Sequence, residues 1–327
     1  MVDGQLGNEM ELNFIKKNQI DKVIKSNKLN NLNKALIISN ICRLNILFMI
    51  KNAGSGHLGT SMSSVDIMVW LKLFHMKKKK LNDPNRDIFF SSKGHDAPAL
   101  YSVLFARGDI SLKKITKLRK IDGLDGHPDV SCRGVEANTG SLGMGISKAK
   151  GILWSKKYLG YKGFVYVMTG DGELQEGQIF EALQTTKHQQ LNDILVIVDH
   201  NKIQSSKFVR EIVDLNNLKY KFSSFGWHFE RCNGHSFSEL NKTLLKLNKV
   251  KHKPKILVAD TIKGKGISFM EHTNYMKKNK FYTWHAGAPS DEDFLKAQEE
   301  IINLIKINNK KFNLIIKLSK IFKEEIS

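Results

Sequence analysis

The sequence predicts an α/β fold, a doubly wound and mostly parallel sheet with helices on both faces. Two short, unbroken apolar runs, residues 164–169 and 194–199, read as strands buried on both faces. Each is followed at once by a polar tip: Gly170-Asp171-Gly172-Glu173-Leu174-Gln175-Glu176-Gly177 after the first, and Asp199-His200-Asn201-Lys202-Ile203-Gln204 after the second. The amphipathic segment 176–189 between them supplies the crossover helix that two parallel strands need.

The other elements follow in chain order. Residues 1–33, rich in Asn and Lys, predict a frayed helical arm at best. Ile37, Ile41, Leu44 and Phe48 recur at helical spacing, so residues 35–50 predict an amphipathic helix that delivers the chain to the Gly54-Ser55-Gly56-His57 loop. Residues 61–75 predict the next helix, and the charge run 77–80 a solvated loop. Residues 88–90 form a short strand. Asp96 and Pro98 open a helix that stops at Gly108, which holds His95 on a strand-to-helix turn.

Residues 144–159 predict a helix closed by Gly160, with the Gly140-Ser141-Leu142-Gly143 loop at its amino end. Further strands are expected at 226–231 and 256–261, the latter leading into the turn Gly264-Lys265-Gly266. Beyond Ser290, a mixed pattern that includes Ile301, Leu304, Ile305 and Ile316 predicts terminal helices. The chain thus divides into an arm (1–33), a ligand-binding domain (34–290) and a helical tail (291–327).

A length of 327 residues suffices for one large α/β core or two smaller ones. The formal net charge of +20 comes mainly from scattered Lys. That pattern reads as a solvated basic surface rather than a nucleic-acid footprint. Cys42, Cys132 and Cys232 lack disulfide or zinc spacing and read as reduced thiols, which sets the expectation of a cytoplasmic protein. Residues 1–13 lack the apolar core of a secretory signal, and Asn40, Arg43 and Asn45 interrupt the most apolar stretch, so no membrane span is expected.

If the two central strands are neighbours, both tips emerge at the carboxyl edge of the sheet, where α/β folds bind phosphorylated ligands. The Asp171 carboxylate, the Asn201 amide oxygen and the Ile203 carbonyl make a set of hard oxygen donors suited to Mg²⁺ or Ca²⁺. Gly170 and Gly172 let the backbone come close to a diphosphate. A lone Gly-Asp-Gly is an ordinary turn; the pair of strand-terminal clusters is what points to a metal diphosphate. Gly-His dipeptides occur at His57, His95, His127 and His235, and Gly and Ser place the first three on tight loops facing a cleft.

These clusters resemble the thiamine diphosphate fingerprint, and their surroundings resemble the transketolase family. Segments in family order include Gly54-Ser55-Gly56-His57-Leu58-Gly59, Ser91-Ser92-Lys93-Gly94-His95-Asp96, Gly126-His127-Pro128, Thr139-Gly140-Ser141-Leu142-Gly143-Met144-Gly145 and Trp284-His285-Ala286-Gly287-Ala288-Pro289. The resemblance implies thiamine diphosphate with Mg²⁺, or Ca²⁺ or Mn²⁺ in its place. Asp171, Asn201 and Ile203 would hold the metal. Gly172, Asn201, His95 and His285 would contact the diphosphate, and Gly140 and Leu142 the cofactor rings. His57 and His127 would handle the donor sugar, and His285 would join them as a catalytic residue.

Glu176 would reach a glutamate on another polypeptide segment across a dimer interface, and His235 matches a structural loop. Leu58, Ser141 and Met144 depart from the family's usual Pro, Pro and Gln. The family's activating glutamate, aromatic pyrimidine pocket and sugar-phosphate arginines belong to later domains. The resemblance therefore implies the N-terminal subunit of a split transketolase, acting on sugar phosphates with a separate C-terminal subunit in an α₂β₂-type assembly. The alternatives are a diphosphate-binding subunit of deoxyxylulose-phosphate synthase or two-oxoacid dehydrogenase type, and a non-catalytic basic binding module.

Overall fold

The computed structural model describes residues 10–77 and 79–323. The described part of the expected arm is not frayed. Met10–Phe14 is a strand paired antiparallel with Ser319–Lys323, and Lys17–Lys25 is a helix. Leu12, Phe14, Ile15, Ile20 and Val23 are all buried, so sparse apolar residues anchor a polar segment to the core. Residues 1–9 and 324–327 lie outside the described residues.

Helix α1 (Asn31–Ala53) starts at an Asn30 cap and ends at Gly54, whose φ is +68°. It is not amphipathic as expected, because it is buried on nearly every side. By length and composition it could cross a membrane, yet 83% of its most apolar window is buried inside the fold. Its polar residues are satisfied internally. Asn45 Oδ1 accepts from Ile15 N at 2.8 Å and Asn45 Nδ2 donates to Ile15 O at 3.1 Å. Helix α2 (Leu58–Val69) follows the His57 loop and continues into a π-helical turn, Trp70–His75.

The sheet is parallel throughout. Its strands are β1 (Ile88–Ser91), β2 (Val165–Gly170), β3 (Ile194–His200), β4 (His228–Asn233) and β5 (Lys255–Asp260), in the spatial order β1-β2-β3-β5-β4. Alternate residues enter two cores, as a doubly wound sheet requires. Phe89, Tyr166, Met168, Leu195 and Ile197 pack with α1, α2 and three more helices, α3 (Ala97–Arg107), α6 (Phe237–Asn248) and α7 (Asp291–Phe312). Phe90, Val165, Val167, Val196 and Val198 pack with α4 (Gly145–Tyr158) and α5 (Gly177–His188). The expected helical tail is one helix, α7, capped by Ser290 and closed by Asn313 in the left-handed region. Ser319–Lys323, expected within that helical tail, is instead the strand paired with Met10–Phe14, because its partner lies at the other end of the chain.

Candidate active site

β2 and β3 are hydrogen-bonded neighbours with Gly170 opposite Asp199. The polar tips therefore leave the sheet about one strand spacing, ~4.8 Å, apart. Asp171 opens a 3₁₀ turn, Gly172–Gln175, and its carboxylate accepts from Gly172 N at 2.8 Å and from Lys202 N on the other tip. Asn201 Oδ1 accepts from Ile203 N at 3.1 Å, and Asn201 Nδ2 donates to Asp199 at 3.1 Å. Asp171 and Asn201 are buried, and burial pushes the Asp171 carboxyl above its ordinary value.

One cleft of about 290 Å³ brings Asp171, Gly172, Glu176, Asn201 and Ile203 together with His57, His95, His127, Gly140, Leu142 and His285. Gly140 has φ +135°, and a Cβ there would lie 3.0 Å from the His127 ring. The His57 ring centroid is 5.3 Å from those of His95 and His285 and 6.4 Å from that of His127. Burial, reinforced by Arg119, His127 and Lys263, pushes His57 down to about 4. Burial with Lys263 beside it pushes His285 to about 3, and burial with Lys93 beside it pushes His95 well below its ordinary value.

These three rings are thus neutral at pH 7, and each can donate one hydrogen bond and accept another. His57 Nδ1 is buried with no partner among the described residues, so it is free to meet a polar ligand. His235 lies outside the cleft, as expected of a structural loop. Its Nδ1 meets Asp66 at 2.7 Å and its Nε2 accepts from Ile262 N at 2.9 Å.

Sequence reasoning missed several cleft residues. Lys93, 1% exposed, pairs with Asp199 and donates to Thr60 Oγ1 at 2.7 Å. Lys263, 2% exposed, reaches Ile203 O at 3.2 Å, Ser205 O at 3.0 Å and His285 Nδ1 at 3.2 Å. Burial pushes its ammonium down to about 7. Glu173 accepts from Ser92 Oγ, from Gly143 N at 2.9 Å and from Gly170 N at 3.1 Å, which fastens three loops at the cleft wall.

The residues fit a metal diphosphate. Among the described residues no group of three or more His, Cys, Asp or Glu could hold a metal ion. The available donors are a carboxylate, an amide oxygen and a backbone carbonyl, which suit a hard cation whose other ligands are phosphate oxygens and water rather than zinc. Lys93 and Lys263 line the same cleft; Lys93 is already paired with Asp199 and Asp96, whereas Lys263 makes no ion pair among the described residues and can face an anion.

A family model described as "Transketolase, thiamine diphosphate binding domain" matches residues 34–280. With the fold and the strand-tip cleft, this makes the chain a thiamine diphosphate-binding protein. An apulose-4-phosphate transketolase subunit of Phocaeicola vulgatus is 31% identical over 276 residues, which cover 83% of this chain and 95% of that one. The subunit of the same name in Actinobacillus succinogenes is 34% identical over 260 residues, 77% of this chain and 91% of that one. Human transketolase is 34% identical over 280 residues, 84% of this chain and 42% of its own length. The crystal structure of transketolase from Campylobacter jejuni superposes with a TM-score of 0.74 at 26% identity, covering 87% of this chain and 48% of that one. The chain belongs to the transketolase family and corresponds to its N-terminal part. It spans nearly all of the two bacterial subunits but less than half of the human and Campylobacter enzymes.

Proposed function

We propose that this chain is the cofactor-binding subunit of a two-chain transketolase, which moves a two-carbon ketol unit from a ketose phosphate to an aldose phosphate. The observation that carries this reading is the convergence of the strand-tip oxygens and the histidine cluster on one cleft. Its mouth is open: Glu176, Leu142 and Met144 are exposed. A separate C-terminal subunit packing there, in an α₂β₂-type assembly, would supply the pyrimidine-binding half. Relatives of matching length that are themselves named as transketolase subunits support a partner chain. The transketolase names of these relatives favour this reading over the synthase, dehydrogenase and binding-module alternatives.

Thiamine diphosphate, when bound, supplies the carbanion-stabilising chemistry. Asp171, Asn201 and Ile203 would hold Mg²⁺, and Gly172 N would donate to the diphosphate. Lys263, which makes no ion pair among the described residues, would lower the cost of bringing a polyanion into a partly buried cleft. His95 and His285 would contact the diphosphate, and His57, neutral at pH 7, with His127 at the exposed edge, would donate to and accept from sugar hydroxyl and carbonyl groups. The exposed side chain of Glu176 makes no hydrogen bond or ion pair among the described residues, which suits a contact across the subunit boundary.

The test is co-expression with a chain from the same genome that carries the pyrimidine-binding and C-terminal domains of a transketolase. Ketol transfer from xylulose 5-phosphate or apulose 4-phosphate to an aldose phosphate is expected from the pair and not from either chain alone. Transfer from pyruvate to glyceraldehyde 3-phosphate would overturn the assignment. Asp171→Ala and Asn201→Ala should abolish Mg²⁺-dependent thiamine diphosphate binding in calorimetry with far-UV circular dichroism unchanged. Wild-type affinity in both variants would refute the metal assignment.

A further inference from the structure

A cavity that shares no lining residue with the cofactor cleft plays no part in the reaction proposed above. It measures about 400 Å³, within the range of small-molecule sites, and is bounded by the helix Lys17–Lys25, the start of α1, the end of the π turn and the segment before β1. α2 begins beside His57 in the cofactor cleft, and Lys72 lies fifteen residues further along the same helical run, roughly 20 Å away at 1.5 Å per residue. Seven basic side chains line the cavity against three acidic ones.

Both arginines pair with carboxylates, Arg86 Nη2 with Glu136 and Arg107 Nε with Asp109 at 3.0 Å, although Arg86 Nε is buried with no hydrogen-bond partner among the described residues. Lys72 differs. It is 6% exposed, and its ammonium sits 5.9 Å over the Phe89 ring with no hydrogen bond or ion pair among the described residues. Its ammonium opens on the cavity and feels the Glu136 and Asp109 carboxylates only through space, so an anion bound in the cavity would meet it directly. Burial pushes this ammonium down to about 8, and a bound anion would offset that desolvation. Leu73, Phe74 and Met76 add an apolar wall.

We propose that this cavity is a second ligand site, for a phosphate or phosphomonoester, in which Lys72 is the buried anchor and Lys34 and Lys77 complete the cationic rim. The phosphate oxygens take the hydrogen-bond positions that Lys72 leaves open, and an organic part of the ligand packs on Leu73 and Phe74.

The test is calorimetric titration of the full chain at low salt with inorganic phosphate and with AMP. Binding is expected to fall at least tenfold in Lys72→Met, a close match in shape, and severalfold in Lys34→Gln at the rim, while Asp171→Ala binds like the wild type. Tighter binding of AMP identifies an organic phosphomonoester and equal binding identifies free phosphate; either supports the site. Absence of binding by both probes, wild-type affinity in both lysine variants, or loss of binding in Asp171→Ala would overturn it. If Lys72→Met does not fold, Lys34→Gln and Asp171→Ala decide the question.

Discussion

Asp66 tests what holds the cleft's scaffold in place. Its buried carboxylate lies on α2, and Oδ2 is approached from two sides, by Arg43 Nη2 of α1 and by His235 Nδ1, both at 2.7 Å. Because His235 Nε2 accepts from Ile262 N, Nδ1 carries the proton and donates to Asp66. One carboxylate therefore ties α1, α2 and the turn that presents Lys263 to the cleft. Burial opposes its charge, but Arg43 and His235 outweigh burial and hold the carboxyl below the usual carboxylate range.

Asp66→Asn keeps the shape and removes the counter-charge. Arg43, itself buried, is left with neutral acceptors: Lys265 O at 3.0 Å, Asn40 Oδ1 at 3.4 Å and Met62 O at 3.5 Å. Breaking a buried pair in this way costs about 3–5 kcal/mol. At about 2–4 °C per kcal/mol for a large domain, Tm should fall by roughly 10 °C.

Urea denaturation followed by far-UV circular dichroism measures the gap directly. A carboxyl with a depressed folded pKa contributes stability that is present above its unfolded pKa, ordinarily 3.8, and lost as pH falls toward the folded value. The gap between wild type and variant should hold from pH 7 to about 5 and narrow by ~1 kcal/mol at pH 3. Arg43→Met combined with Asp66→Leu should recover much of the loss, since neither charge is then stranded. A gap under ~1 kcal/mol at pH 7, or one that widens in acid, would refute the reasoning.

Two further substitutions probe the cleft itself. Gly143 has φ +81°, and a Cβ there would lie 2.6 Å from Glu176 Cβ, so Gly143→Ala should cost about 1–3 kcal/mol, seen as a lower Tm; an unchanged Tm would contradict the close packing of the loop on Glu176. His57 has its folded pKa depressed to about 4, so as pH falls from its ordinary value of 6.5 toward 4 the unfolded chain takes the proton first and stability is lost. His57→Gln should flatten that decline, and urea midpoints whose difference from wild type is the same at pH 7.5, 6 and 5 would show that the folded ring is not held neutral.

The strands were legible because a parallel strand covered on both faces must be apolar at every position, as Val165, Val167, Val196 and Ile197 are. Once two such runs were neighbours, covalent geometry put Asp171 and Asn201 at one edge. Pairing between distant segments left no local trace. Met10–Phe14 finds its partner about three hundred residues away, and the Asn and Lys around it gave no sign that Leu12 and Phe14 are buried. α1 was misread for a related reason. Asn45 and Arg43 look like a solvent face, yet Ile15 and Asp66 satisfy them inside the protein. Lys93 and Lys263 were hidden by number, since 52 Lys and Arg offer no local mark for the two that are buried in the cleft.

The three departures from the family pattern sort by position. Leu58 is the first residue of α2, where proline is accommodated because the amide there has no intrahelical acceptor, so the exchange leaves the helix intact. Ser141 and Met144 sit on the exposed loop beside Leu142, on the rim of the cleft rather than among its oxygen donors. Side chains at a rim meet whatever closes the mouth. Variation there changes the rim and leaves Asp171, Asn201 and Ile203 themselves unchanged, so on the function proposed above Ser141 and Met144 bear on what covers the mouth rather than on cofactor anchoring.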